Sequence, residues 1–156
     1  MKILKALHRL LKIGPKYSQT SEFLLRKVST SGDERVYLDI FDKAKLRYPT
    51  FLSRRYRKCS ERYLVITPTT VAGYISGVVE DGVFSIQIYK AVPKLSAKAV
   101  VKEFISLYED VVFGWKTHID NRDSIKLLFK LDGVFYKLSG DVLEGVLFKP
   151  DCRKDD

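Results

Sequence analysis

Apolar and polar positions follow their clearest pattern between Tyr74 and Trp115. Two apolar runs flank Asp81-Gly82, a dipeptide suited to the left-handed backbone of a two-residue hairpin turn. A turn there sets the register. Val79 faces Phe84, Gly77 faces Ile86 and Ile75 faces Ile88 on one side, while Val78 faces Ser85, Ser76 faces Gln87 and Tyr74 faces Tyr89 on the other. Pro93 ends the second strand and Ser96 is a good N-cap. Ala97, Val100, Val101, Phe104, Ile105, Tyr108, Val111 and Val112 then keep the spacing of a core-facing helix, with Gly114 as its stop. A hairpin packed on a helix is the expected kernel of the fold, and it carries no evident chemistry.

The first thirteen residues form a different unit. Ile3, Leu4, Leu7, Leu10 and Leu11 mark one helical face, and Lys2, Lys5, His8, Arg9 and Lys12 the other, before Gly14-Pro15 ends the pattern. Such a helix can lie in a membrane interface, with leucines in the acyl boundary and lysines on anionic head groups. A core helix folded back on the domain, a mitochondrial presequence and a helix that enters a partner's groove are the competing readings. Downstream, Phe23 to Ser29 and Arg35 to Phe41 read as strands around Ser31-Gly32-Asp33. Asp42 to Tyr48 reads as a short helix closed by Pro49. Tyr63 to Thr67 reads as a strand, and Trp115 to Arg122 as a loop. Lys126 to Leu131, Val134 to Leu138 and Val142 to Phe148 read as a meander with turns at Asp132-Gly133 and Gly140-Asp141.

The predicted fold class is α+β in a single domain. Six to seven antiparallel strands are packed by one long helix, with an N-terminal basic amphipathic helix in front. Residues 1–16 form that arm, 17–150 the core domain and 151–156 a charged tail.

Composition changes the picture in one respect. The chain has 156 residues, enough for one core, and a formal charge of +9 that favours polyanionic partners. The most basic stretch interleaves Arg54, Arg55, Arg57, Lys58 and Arg62 with Tyr56 and Tyr63, a mixture suited to phosphates and exposed bases, or simply to a solvated face. Cys59 and Cys152 are far apart and suggest no disulfide framework, so a reducing compartment is expected. No apolar run has the length of a membrane span, and no uninterrupted apolar segment of an export signal opens the chain.

Chemistry is harder to find. The two histidines and two cysteines are isolated, and P-loop, G-x-S-x-G and H-E-x-x-H patterns are absent, so neither a metal nor a cofactor is implied. His118 with Asp120 and Asp123 can be drawn as an acid–base group, but such loop residues are more often only solvated. Glu80, Asp81 and Lys90 suggest a nuclease strand, yet Ile88 occupies the place of the carboxylate expected two residues before the lysine.

Three features resemble the matrix proteins of non-segmented negative-strand RNA viruses, of the rhabdovirus and bornavirus types. They are the basic, apolar Met1-Lys2-Ile3-Leu4-Lys5, the strand-then-helix succession from Gly82 to Val112, and the C-terminal meander. The Pro-Pro-x-Tyr budding motif of many such proteins is missing. The resemblance implies a non-enzymatic protein that self-associates beneath an envelope and bridges lipid to nucleocapsid. Its expected partners are an anionic membrane surface, viral nucleocapsid or RNA, and further copies of itself. Its expected location is the cytoplasmic face of a host membrane or the virion interior, with a soluble cytoplasmic or nuclear protein as the alternative. On this reading Lys2, Ile3, Leu4, Lys5, Leu7, Arg9, Leu10, Leu11 and Lys12 meet the membrane. Arg54, Arg55, Tyr56, Arg57, Lys58 and Arg62 bind polyanion, and Tyr74, Val78 and Tyr89 offer an assembly surface if uncovered. A nucleic-acid-binding module is the alternative function, and a small nuclease the third.

Overall fold

The structure, a computed structural model, describes residues 23–47 and 55–148. In chain order the elements are β1 (Leu24–Lys27), α1 (Ser31–Arg47), α2 (Arg55–Lys58), β2 (Glu61–Ile66), β3 (Val71–Glu80), β4 (Val83–Lys90), α3 (Ala97–Ile105), β5 (Val112–His118), α4 (Arg122–Lys130), β6 (Val134–Ser139) and β7 (Val142–Phe148). They build one seven-stranded sheet in the order β1-β2-β3-β4-β5-β7-β6. Every neighbouring pair is antiparallel except β4 and β5, which are parallel.

The hairpin expected at Asp81-Gly82 is present with the register read from the sequence, from Tyr74 opposite Tyr89 to Val79 opposite Phe84. Asp81 and Gly82 take φ values of 50° and 80°, the left-handed pair that a tight hairpin turn requires. One face of the sheet carries Val65, Ile75, Phe84, Ile86, Phe113, Trp115 and Leu147, which pack with Val100, Val101, Phe104 and Ile105 of α3 and Leu127 and Leu128 of α4. The other face carries Leu64 and Tyr74, covered by Tyr37, Ile40, Phe41 and Ala44 of α1 and Tyr56 of α2.

Three expectations about elements change. Residues 31–47 are one helix rather than a turn, a strand and a short helix. Its start is set by a reciprocal cap: Thr30 Oγ1 accepts the Asp33 N–H at 3.0 Å, while the Asp33 carboxylate accepts from the N–H groups of Ser29 and Thr30. Burial pushes the Asp33 carboxyl up, but the Arg26 side chain and those two N–H groups together hold it below the usual carboxylate range. Tyr37, Ile40, Phe41 and Ala44 then form the buried stripe.

The long packing helix does not exist. α3 stops at Ile105, capped by Ser106, and Asp110 turns the chain at φ 55°. Val112, Phe113, Gly114 and Trp115 enter β5, so Gly114 is a strand residue and not a helix stop. The β-branched and aromatic residues here suit a strand between two neighbours better than a third helical turn. Residues 122–130 form α4 instead of the first meander strand, because Asn121 caps the Ser124 N–H at 3.2 Å and Leu127, Leu128 and Leu131 share one buried side. The remaining turn, at Gly140 with φ 59°, joins β6 to β7 as expected. The N-terminal helix and the tail fall outside the described residues.

Candidate functional site

The parallel pair creates the site. β4 and β5 are joined by three residue pairs, Phe84 with Phe113, Ser85 with Gly114 and Ile86 with Trp115. Beyond Ile86 and Trp115 the pairing stops, although β4 runs on to Lys90 beside β3 and β5 to His118 beside β7. The two strands therefore part toward their C-terminal ends and leave a cleft with unpaired backbone on both walls. The ends of parallel strands, where the chain crosses between neighbours, are where open sheets receive ligands.

α3 begins at the mouth of this cleft. Ser96 is its N-cap and accepts the Ala99 N–H at 3.2 Å. The other N–H groups of the first turn have no partner within the helix. No acidic side chain stands in that first turn. Three exposed lysines do surround the junction: Lys90 ends β4, Lys94 precedes the cap and Lys98 is the second helical residue. A cation beside a helix N-terminus is electrostatically misplaced unless an anion joins it. The junction thus combines free N–H groups and ammonium groups around a place fit for phosphate. It contains no glycine, and Ala91 and Ala97 are its smallest side chains.

Two buried hydroxyls flank the closed end of the cleft. Ser85 lies one pair before its vertex, and Thr117 lies in the unpaired reach of β5. Each is 2% exposed, and neither oxygen has a hydrogen-bond partner among the described residues. Trp115, at the vertex itself, donates its indole N–H to Ser124 Oγ at 3.1 Å, which ties β5 to α4.

On the sheet face that α1 and α2 cover farther along, a polar group gathers over this vertex. Lys116 Nζ lies 3.5 Å from Glu80 Oε2 and 3.8 Å from Glu144 Oε1, and Lys137 Nζ lies 3.7 Å from Glu144 Oε2. Glu80, the first acid of the nuclease pattern, belongs to this group instead. Among the described residues no set of three metal-ligating side chains exists.

The residues singled out from the sequence lie elsewhere. Lys2, Ile3, Leu4, Lys5, Leu7, Arg9, Leu10, Leu11 and Lys12 are outside the described residues, as is Arg54. Arg55 opens α2. Tyr56 is buried and Lys58 exposed. Arg57 pairs with Asp42 at 3.3 Å. Arg62 points inward, 2.6 Å from Glu34 and stacked over the Tyr37 ring at 5.1 Å. The hydrogen bond from Arg62 is the main cause that holds the Glu34 carboxyl below its usual range. The basic stretch is therefore split between ion pairs, core and solvent. Tyr74 is fully buried and Val78 and Tyr89 pack beside it, so the face considered as an assembly surface is covered by α1. Burial pushes the Cys59 thiol up, the opposite of what a reactive thiolate needs.

His118 and Asp120 are adjacent. His118 Nδ1 accepts the Asp120 N–H at 3.1 Å, and Asp141 Oδ2 is 3.9 Å from its other nitrogen. Asp123 sits in the first turn of α4. Sequence reading missed Lys94, Lys98, Ser85, Lys116 and Glu144. The available signal was the strand-to-cap junction at Lys90 to Lys98, which has lysines and no acid. Its meaning depends on β5 being a strand.

No family model matches the chain, and no curated protein matches it. Solved structures do. An N-acetyltransferase from Campylobacter jejuni, PseH, in complex with acetyl coenzyme A, superposes with a TM-score of 0.56 at 17% identity, over 82% of this chain and 99% of that one. A spermidine N-acetyltransferase chimera of Vibrio cholerae SpeG and hSSAT gives 0.59 at 13%, over 83% and 96%. An acetyltransferase of the GNAT family from Bacillus cereus gives 0.62 at 10%, over 83% and 99%.

This likeness corrects the resemblance to viral matrix proteins. It also overturns the reading as a non-enzymatic, envelope-associated protein with membrane and nucleocapsid partners, because the solved structures that share the fold are acetyltransferases. Among the described residues no helix is long and apolar enough to cross a membrane. The chain has the α+β fold of the GNAT-type N-acetyltransferases.

Proposed function

We propose that this protein is an acyltransferase that takes its acyl group from a coenzyme A thioester held between β4 and β5. The observation that carries this reading is the parallel pair that ends at Ile86 and Trp115 while both strands continue, with α3 starting at the open end. Lys94, Lys98 and the first-turn N–H groups of α3 would hold the phosphates. The unpaired edges of β4 and β5 offer N–H and C=O groups to an extended, amide-bearing chain, as a sheet edge does to a peptide. The buried hydroxyl of Thr117 lies in the same reach of β5 and lacks a partner. When bound, the thioester supplies an electrophilic acyl carbon. Everything else is positioning by this chain, with the closed end of the cleft as the stop. The solved complex of PseH with acetyl coenzyme A supports the donor class.

Calorimetry with acetyl coenzyme A and with coenzyme A tests the reading. Both are expected to bind, more weakly as salt rises. A Lys94→Glu/Lys98→Glu double variant should weaken binding by about tenfold or more, roughly 1.4 kcal/mol. A folded wild-type protein that binds neither compound at about 1 mM, a standard free energy near −4 kcal/mol, would refute it.

A further inference from the structure

The two faces of the sheet are covered unevenly. On one face Phe113, Trp115 and Leu147 are buried with side chains of α3 and α4. On the other, α1 and α2 pack on β2 and β3. The rest of that second face belongs to β5, β7 and β6. There Val112 lies beside Phe148, and Gly114 beside Val146, which lies beside Val134. Val83 and Tyr136 border the same patch. Val134, Tyr136 and Phe148 are 54%, 61% and 61% exposed, a contiguous apolar surface where a sheet of this kind normally carries a second layer. We propose that the chain's own Met1 to Ile13, which lie outside the described residues, dock on this patch as a helix and complete the layer.

Three observations select this occupant. The first is pattern. Ile3, Leu4, Leu7, Leu10 and Leu11 keep the spacing of one apolar helical stripe. From Ile3 to Leu11 such a stripe rises about 12 Å. From β4 to β6 the patch crosses about 14 Å. The second is charge. Lys2, Lys5, Arg9 and Lys12 border the stripe, and no acidic residue precedes Glu22. The turn between β3 and β4, the connection into β5 and the turn into β6 all lie at one end of the sheet, and they bring Asp81, Glu109, Asp110 and Asp132 to the margin of the patch. Residues 81–82, 106–111 and 131–133 contain no lysine or arginine. In a chain with a formal charge of +9, this acidic end attracts a basic segment. Lys116 and Lys137, toward the other margin, are already engaged with Glu80 and Glu144. The third is reach. Phe23 precedes Leu24, which pairs with Ile66 at the opposite end and edge of the sheet. The patch centre lies about 22 Å away across the strands and about 26 Å along them, a straight distance of about 34 Å. The nine residues 14–22 span up to about 30 Å, and half of a thirteen-residue helix adds about 10 Å, so the helix midpoint can arrive.

Hydrogen exchange of the full chain, read by mass spectrometry, tests the docking. An isolated helix of this length is marginal in water, so slow exchange within it requires a surface to pack on. Amides of residues 5–13 should exchange at least about tenfold more slowly than in an unstructured chain, and dilution should not change the rate. Val134→Lys/Phe148→Lys should return them to the unstructured rate while the centre of β3 stays protected. A second measurement needs no variant, and it decides if that one fails to fold. A zero-length carbodiimide cross-linker should join Lys2, Lys5 or Lys12 to Asp81, Glu109, Asp110 or Asp132 within one chain. The proposal falls if residues 5–13 of the folded protein exchange as an unstructured chain does. It falls equally if their protection survives Val134→Lys/Phe148→Lys, or if these lysines form no cross-link to those four acids. Protection that is lost on dilution, with the cross-links running between chains, would place the helix on a second copy and overturn docking within one chain.

Discussion

Replacing Ser85 by alanine should stabilise the protein, which is unusual for a change at a buried position. Ser85 is 2% exposed, and its hydroxyl has lost water without gaining a partner. An unsatisfied buried polar group costs about 1–3 kcal/mol, and alanine keeps all other atoms of the side chain. The net gain should be about 1 kcal/mol, which raises Tm by roughly 2–4 °C in a chain of this length. Ser76 is the internal control. It lies on the same sheet face in the neighbouring strand, is 0% exposed, and accepts a hydrogen bond from the Tyr37 hydroxyl at 3.1 Å. Ser76→Ala should therefore destabilise by about 0.5–1.5 kcal/mol. Urea unfolding of the two variants, with unchanged slopes, reads both signs. If Ser85→Ala destabilises as Ser76→Ala does, the hydroxyl is satisfied in solution and the reasoning fails.

Other expectations follow from the packing and charges. Gly77→Ala would place a Cβ 2.3 Å from the Phe84 ring, which is fixed against Phe104, Tyr108 and Phe113. A loss of about 1–3 kcal/mol in urea unfolding is expected, and a neutral result would mean that the ring has room. Tyr37→Phe removes the hydroxyl that donates to the Tyr56 carbonyl at 2.6 Å and to Ser76; about 1–2 kcal/mol should be lost, with Tm as the readout. Glu34 has a folded-state pKa depressed chiefly by Arg62, so its stabilisation is present above the ordinary carboxylate range and lost as pH falls through the lowered value. Below about pH 4.5, Glu34→Gln should show a shallower decline of Tm with acid than wild type, and parallel curves would refute the pairing.

What the sequence disclosed was local. The β3–β4 hairpin was legible because Asp81-Gly82 admits one turn geometry, and a single turn fixes eight pairs. Ser96 was legible as a cap for the same reason. The β5 strand was not, because Val111 and Val112 happen to continue the helical spacing of α3 and Gly114 looks like a helix stop. Whether that run is helix or strand depends on β4 and β7, which flank it in space and lie far from it along the chain. The loss of β5 concealed the parallel pair, and with it the cleft. α4 was mistaken for a strand because Leu127, Phe129 and Leu131 alternate; the deciding residue, Leu128, is buried between them. At the site, lysines at a helix start and a lone serine in a strand carry no motif. They gain meaning only once Gly114 is placed beside Ser85.

The shortness of the β4–β5 pairing also bears on how the chain assembles. β1 to β4 and β5 to β7 are each closed by antiparallel ladders, eight pairs long between β3 and β4 and seven between β5 and β7. The two halves are stitched by three pairs, after a crossover through α3. The β3–β4 and β6–β7 hairpins close small loops and can form early, whereas the parallel ladder must wait until its crossover helix is in place. Folding should therefore start in these two hairpins, with the parallel seam joined late through α3. In native-state hydrogen exchange the amides of residues 113–115 should open in a cheaper, separate event than those at the centre of β3. The place where a ligand would insert is then also the last seam to close.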